Sequence, residues 1–234
     1  DNAGVLNTAA NTTAVGSGAL DSNTTGTTMT AVGKEAGGAM VSGSDLTAVG
    51  YTALLLATGA GNTGTGSGVG DTISTGAQNT LMGRAAGSGI STTSNSTFLG
   101  YNCGVASTAA QITAVGALAL DANTSGTQSV AVGYQAGGAI TTSGNLTAVG
   151  WQSLLLATGA DNSAFGATAG DSITTGSDNT CLGSNADVSA ATATYQTVIG
   201  SDAVGTANSQ VMLGRTGTDW VVRTGPIHLT SAFT

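Results

Sequence analysis

Charge is scarce in this chain. Only 7% of its residues are Asp, Glu, Lys or Arg, against about a quarter in ordinary soluble domains. With four Lys and Arg in all and a net charge of −8, there is little to set against phosphates, so nucleic acid is not expected as a partner. Aromatic residues are 4%, which rules out a thick core of large rings. There is one proline, Pro226, and one histidine, His228. The histidine has no Gly-x-Ser-x-Gly elbow or cysteine partner to complete a nucleophilic triad. The two cysteines, Cys103 and Cys181, make neither a metal cluster nor a disulfide framework. Nothing in the pattern asks for a cofactor. The longest strongly apolar runs, Ala53 to Ala57 and Leu154 to Ala157, are far too short to span a bilayer, so no membrane insertion by this segment is expected. The chain opens at Asp1 with no visible signal peptide, which reads as a processed chain or a piece of a longer one.

Small residues fill the space that charge and aromatics leave. Glycine accounts for 38 of 234 positions, and the mean hydropathy is +0.22. Disordered chains are rich in charge or proline, and this one is rich in neither. A regular, repetitive architecture remains, in which backbone hydrogen bonds and narrow stacked columns replace a thick core.

The repeat is visible in the phrase Thr13-Ala14-Val15-Gly16, which returns at Thr30-Ala31-Val32-Gly33, Thr47-Ala48-Val49-Gly50, Thr113-Ala114-Val115-Gly116 and Thr147-Ala148-Val149-Gly150. Looser copies fill the gaps, and the closing glycines fall at 16, 33, 50, 66, 83, 100, 116, 133, 150, 166, 183, 200 and 214. Steps of 17, 17 and 16 make a 50-residue block that recurs, followed by a last step of 14. The second hundred residues answer the first nearly residue for residue, as Leu54-Leu55-Leu56 and Leu154-Leu155-Leu156 do.

Each beat holds a short extended phrase, a glycine, a small residue three places on, and a polar Gly/Asn/Thr stretch. That is the grammar of strand and turn, and no window has apolar residues at helical spacing. We therefore expect an all-β fold, a parallel β-solenoid of 16–17-residue coils over residues 1–214, with 215–234 as a C-terminal cap or connector. Stacking turns equal offsets into columns. The residue before each glycine (Val15, Val32, Val49, Met82, Leu99, Val115, Val132, Val149, Phe165, Leu182, Ile199) is expected to face inward as the core. The column two places earlier (Thr13, Thr30, Thr47, Thr80, Thr97, Thr113, Thr147, Thr180, Thr197) shares its face, because strand side chains alternate. A core this thin favours several chains sharing a second apolar face. The small residues at the Ala14 and Ala19 offsets are expected to allow close approach between chains.

The Thr-Ala-Val-Gly phrase followed by a small residue, as in Thr147-Ala148-Val149-Gly150 with Ser153, resembles the head repeats of trimeric autotransporter adhesins (YadA-like heads). It is equally similar to the repeat shafts of phage and large-virus tail-fibre proteins. The resemblance covers roughly residues 10 to 214 and implies a left-handed parallel β-roll assembled as a homotrimer, with attachment to a host-surface glycan or protein receptor as its activity. The beat is longer than the adhesin repeat, so the outer turns must differ. Virion fibres of this kind often end in a self-cleaving chaperone, and Leu229-Thr230-Ser231-Ala232-Phe233-Thr234 is similar to what such cleavage leaves. The expected setting is thus a virion fibre, with a bacterial cell surface as the alternative.

Candidate sites lie where the beat is decorated. Tyr51, Tyr101 and Trp151 follow closing glycines at 50-residue intervals, with Tyr134 nearby, and exposed rings in such a row suit glycan stacking. The competing expectation is that they are lodged beside the Leu54 and Leu154 runs or at a chain interface. Lys34 and Arg84 share the same offset, but Tyr134 and Ser184 at that offset stop a basic stripe from forming. Asp21, Asp71, Asp121 and Asp171 also recur every 50 residues and are read as turn caps, since the calcium-loop imitation beginning at Asp21 has Val32 where a bidentate Glu is required. Two further functions stay open. A polysaccharide-cleaving tailspike would need a carboxylate pair such as Asp161 with Asp178 or Asp187 with Asp202. An ice-binding solenoid would need its Thr column to face outward.

Overall fold

The computed structural model describes residues 10–215. Among them are thirteen short strands, β1 (Thr12–Val15), β2 (Met29–Val32), β3 (Leu46–Val49), β4 (Thr63–Thr65), β5 (Thr80–Met82), β6 (Thr97–Leu99), β7 (Thr113–Val115), β8 (Val130–Val132), β9 (Thr147–Val149), β10 (Ser163–Phe165), β11 (Thr180–Leu182), β12 (Thr197–Ile199) and β13 (Val211–Leu213). They form one sheet in chain order, and every neighbouring pair is parallel. Consecutive parallel neighbours require the chain to make a full circuit between strands, so the molecule is a β-solenoid. Thr13 pairs with Thr30, Thr47 with Thr63 and Thr197 with Val211, so the pairing advances in step with the closing glycines. All but the first residue of the expected cap lies outside the described residues.

Each circuit is bent by residues in the left-handed region. Between Gly33 and Gly50 they are Glu35 (φ 57°), Gly37 (φ 57°) and Asp45 (φ 52°), and one hundred residues later Gln135, Gly137 and Asn145 repeat them. Short polar side chains tolerate this region better than branched ones do. The closing glycine does more than bend. A Cβ on Gly50 would lie 2.3 Å from the carbonyl oxygen of Gly66 on the next coil, at a φ of +137°. Successive backbones touch at this corner, and only glycine permits it.

The side-chain order on the strands is the reverse of the expected one. Val15 is 54% exposed, Met82 50% and Phe165 43%, and the Thr column stands outside with them. The middle residue of each phrase is the inward one, and Ala31, Ala48, Leu81, Phe98, Ala114, Ala131, Ala164, Cys181 and Val198 are all buried. The small residues three places after each glycine, such as Ala19, Ala36 and Ala136, are buried too, so neither Ala column is available for contact between chains. The coil is narrow, and at most strand middles the inward residue is Ala or Gly, with Leu81, Phe98, Cys181 and Val198 the larger ones among those buried.

The exceptions show the same limit. Leu20, Leu54, Leu120 and Leu154 project into the core four places after a closing glycine in coils whose strand middle is Ala14, Ala48, Ala114 or Ala148. Where the middle is Phe98, that position is Gly104, and a Cβ there would lie 2.1 Å from the Phe98 ring. Leu81 and Gly87 repeat the exchange at 2.4 Å. Long side chains from farther round the coil, Met40, Ile73, Ile90, Ile140 and Ile173, complete the packing.

Buried amides provide the remaining inner columns. Asn62 Oδ1 accepts from the backbone N–H and the Nδ2 of Asn79, each at 3.0 Å, while Asn62 Nδ2 donates to the carbonyl oxygens of Gly59 and Gly76. Asn162 and Asn179 reproduce this ladder one hundred residues on, and Gln196 extends it. Every such group is satisfied, so the ladder locks coil register without leaving a desolvated amide unpaired. Asn23 and Asn123 are also fully buried, each closing a turn on the glycine three residues later.

Candidate attachment surface

Three columns on the outer side of the strands run side by side along the rod, the Thr column, the apolar column before the glycines, and the column just after them. The third reads Ser17, Lys34, Tyr51, Ser67, Arg84, Tyr101, Ala117, Tyr134, Trp151, Ala167. It is a triplet of small residue, long residue and aromatic ring, played three times. Neighbours in the column sit on adjacent coils, about 4.8 Å apart.

All four expected site residues are exposed, Tyr51 at 52%, Tyr101 at 46%, Tyr134 at 44% and Trp151 at 51%. In the Leu54 and Leu154 runs, Leu54 and Leu154 lie in the core while Leu56 and Leu156 are exposed. The two cations form no stripe, but they take a role that the spacing did not suggest. Lys34 Nζ stands over the Tyr51 ring and the Arg84 guanidinium over the Tyr101 ring, each 5.6 Å from the centroid. Arg84 Nη1 also reaches the Tyr101 hydroxyl at 3.5 Å. Lys34 shares its charge with Glu35 at 3.3 Å. One residue after Tyr134 and Trp151, Gln152 Nε2 donates to Gln135 Oε1 at 2.8 Å. The pairing could have been found in the sequence by reading the column one coil at a time, because Lys34 and Tyr51, like Arg84 and Tyr101, are one beat apart.

Acidic groups are dispersed. Burial pushes the carboxyl groups of Asp71, Asp121 and Asp171 above the usual carboxylate range, with Asp187 adding repulsion at Asp171, while local backbone N–H groups pull the other way. One oxygen of Asp71, Oδ1, is buried with no hydrogen-bond partner. No group of three or more potential metal-ligating side chains comes together among the described residues. The carboxylates of the proposed pairs are held by other partners: Asp161 by Asn145, Asp178 by Ser177, Asp187 by the Val188 N–H, and Asp202 by Asn185 and Arg215. Cys103 and Cys181 are free and buried, and burial raises each thiol to about 12. Among the described residues no pocket opens, and there is no helix long and apolar enough to cross a membrane.

In comparisons with family models, curated proteins and solved structures, nothing matches this chain.

Proposed function

We propose that the chain is a structural module of a homotrimeric fibre, carried on a virion as a tail or surface fibre, that presents an attachment surface to a host-surface glycan or protein receptor. In this reading the solenoid is a left-handed β-roll of 16–17-residue coils, as the likeness of its repeat to YadA-like heads and fibre shafts implies, and a bacterial surface adhesin is the alternative setting. One observation supports it above the others. In the column before the closing glycines, Val15, Val32, Met82, Leu99, Val132, Phe165, Leu182, Ile199 and Leu213 lie exposed outside the strands, and Val49, Thr65, Val115 and Val149 between them are half-buried. Thirteen strands, twelve coil steps apart from first to last, give a rod about 60 Å long, and a stripe about 10 Å wide along it is on the order of 600 Å². That is the upper end for apolar patches on ordinary monomers, and patches of this size mark interaction sites. A stripe that recurs coil by coil along the rod matches another copy of the same rod, related by an axis parallel to it. Sedimentation equilibrium tests this reading. It requires a mass near three times the 22.3 kDa of the chain, and a stable monomer would contradict it.

The outward Thr column supports a second reading, ice binding. Thr13, Thr30, Thr47, Thr80, Thr97, Thr113, Thr147, Thr180 and Thr197 form one line of hydroxyl and methyl groups at the coil spacing. Met82, Phe165 and Leu182 stand beside that line and spoil its flatness. A thermal hysteresis measurement decides the matter, and activity comparable to that of a flat Thr array would replace the fibre reading.

A further inference from the structure

The column after the closing glycines holds more than exposed rings. Lys34 lies on the coil before Tyr51 and stands over its ring, so one face of that ring is turned toward the preceding coil. The opposite face therefore looks toward the following coil, where the column carries the exposed Ser67. Arg84, one coil beyond, leans the other way, onto Tyr101. The far face of Tyr101 looks in turn over Ala117 toward Tyr134. The result is two shallow notches in the column, Tyr51–Ser67–Arg84 and Tyr101–Ala117–Tyr134, each with a small residue as its floor between flanking positions two coils, about 9.6 Å, apart. The far wall is the stem of Arg84, whose guanidinium leans away onto Tyr101, in the first and the Tyr134 ring in the second.

The width selects what fits. Carbon atoms in contact sit about 3.5–4.0 Å apart, so a flat nucleobase between two walls needs roughly 7–8 Å and would leave one of these walls untouched. A pyranose chair is thicker because of its pucker and axial hydrogens, and it meets both walls. Its apolar C–H face suits the negative face of a tyrosine ring, and Arg84 and the tyrosine hydroxyls can hydrogen-bond its hydroxyl groups. The net charge of −8 disfavours a polyanion. We propose that these two notches each bind one neutral pyranose residue. With its ring plane across the rod axis, the sugar enters as the tip of a glycan branch, and the glycan chain does not lie along the rod. The notches recur after 50 residues, about 14 Å along the rod. A ligand this small gains only about millimolar affinity per notch, so retention on a surface rests on many branch tips being held at once. The proposal names the ligand class of the attachment surface and rests on the fibre reading.

The test is retention of the intact chain on protein surfaces densely coupled with terminal glucose, galactose, mannose or N-acetylglucosamine, with sialylated and uncoupled surfaces in parallel, at low and high salt. The expected result is retention on at least one neutral pyranose that salt does not weaken, with a loss of roughly tenfold or more when Ser67→Leu and Ala117→Leu together fill the floors and the assembly mass is unchanged. The notch proposal is overturned by retention on no neutral pyranose, by retention only on sialylated surfaces, or by retention that survives filled floors. It is also overturned if filling the floors changes the assembly mass, since a second copy would then occupy the row. A monomeric unaltered chain would instead count against the fibre reading, so the two failures are distinguishable.

Discussion

At the scale of single residues, two positions follow directly from coil geometry. Gly50 lies where the next backbone is 2.3 Å from any Cβ and where φ is +137°, so Gly50→Ala combines a steric clash with a backbone penalty. A loss of about 3 kcal/mol or more is expected, measured as a fall in the urea midpoint. A loss within experimental error would show that the coils do not touch at this corner. The second position is the buried thiol. Cys103 Sγ donates to the Ala114 carbonyl at 3.2 Å, and both thiols are raised to about 12. Thiolate is the reactive form, so neither cysteine is expected to react with a disulfide reagent at pH 8 until the chain unfolds, and both should then react together. Rapid labelling of the native protein would contradict their placement. The glycine corner was legible in the sequence because one residue returning on one beat, from Gly16 to Gly214, marks a fixed corner of a repeated circuit. The direction of the valine was not. A Thr-Ala-Val triplet alternates equally well either way round, and the choice falls to the width of the coil interior, which the triplet does not encode.

At the scale of the coil, the exchange between Phe98 and Gly104 makes a paired prediction. Gly104→Leu alone drives its Cβ into the Phe98 ring and is expected to cost about 3 kcal/mol or more. Gly104→Leu combined with Phe98→Ala recreates the Ala48 and Leu54 arrangement and should recover most of that loss. A double-mutant cycle that is simply additive would refute the packing rule. The corner aspartates give a pH dependence of unusual sign. Asp71, Asp121 and Asp171 have folded-state pKa values raised by burial above the ordinary 3.8, so the folded state binds their protons more tightly than the unfolded chain does. Their contribution to stability is fully present below the unfolded pKa and is lost as pH rises through the raised folded values. As pH falls from neutral toward 4, Tm is therefore expected to rise, and Asp71→Asn should raise Tm at pH 7 and weaken that slope. A Tm that falls steadily over this range would contradict it. The spacing of these aspartates was plain in the sequence, but their partial burial was not, because it depends on how far the turn folds back over the carboxyl group. The Asn62–Asn79 ladder escaped sequence reading for a similar reason. Asparagine is common throughout this chain, and only the register of stacked coils separates the buried copies from those in exposed turns.

At the scale of the whole molecule, the rod has alanines, Leu, Ile, Met and Phe side chains and amide ladders inside, and a line of Val, Met, Leu, Phe and Ile outside. That inversion changes what the repeat means. The valine column turns outward instead of filling the core, and an exposed apolar column of this length is the surface that the proposed assembly would cover. The solenoid and its beat could be read from the glycine spacing, and the aromatic row from its 50-residue recurrence. The one-beat spacing of Lys34 and Tyr51, and of Arg84 and Tyr101, was in the sequence too, but that each cation stands over its ring came only with the fold. The measurement that tests the central claim most directly is the solution mass of the intact chain beside a variant carrying Met82→Glu, Phe165→Glu and Leu182→Glu. The proposed assembly predicts a trimer near three times 22.3 kDa for the unaltered chain and dissociation of the variant, with Asn62 and its ladder still protected from hydrogen exchange. A monomeric unaltered chain, or a variant whose mass does not change, would contradict it.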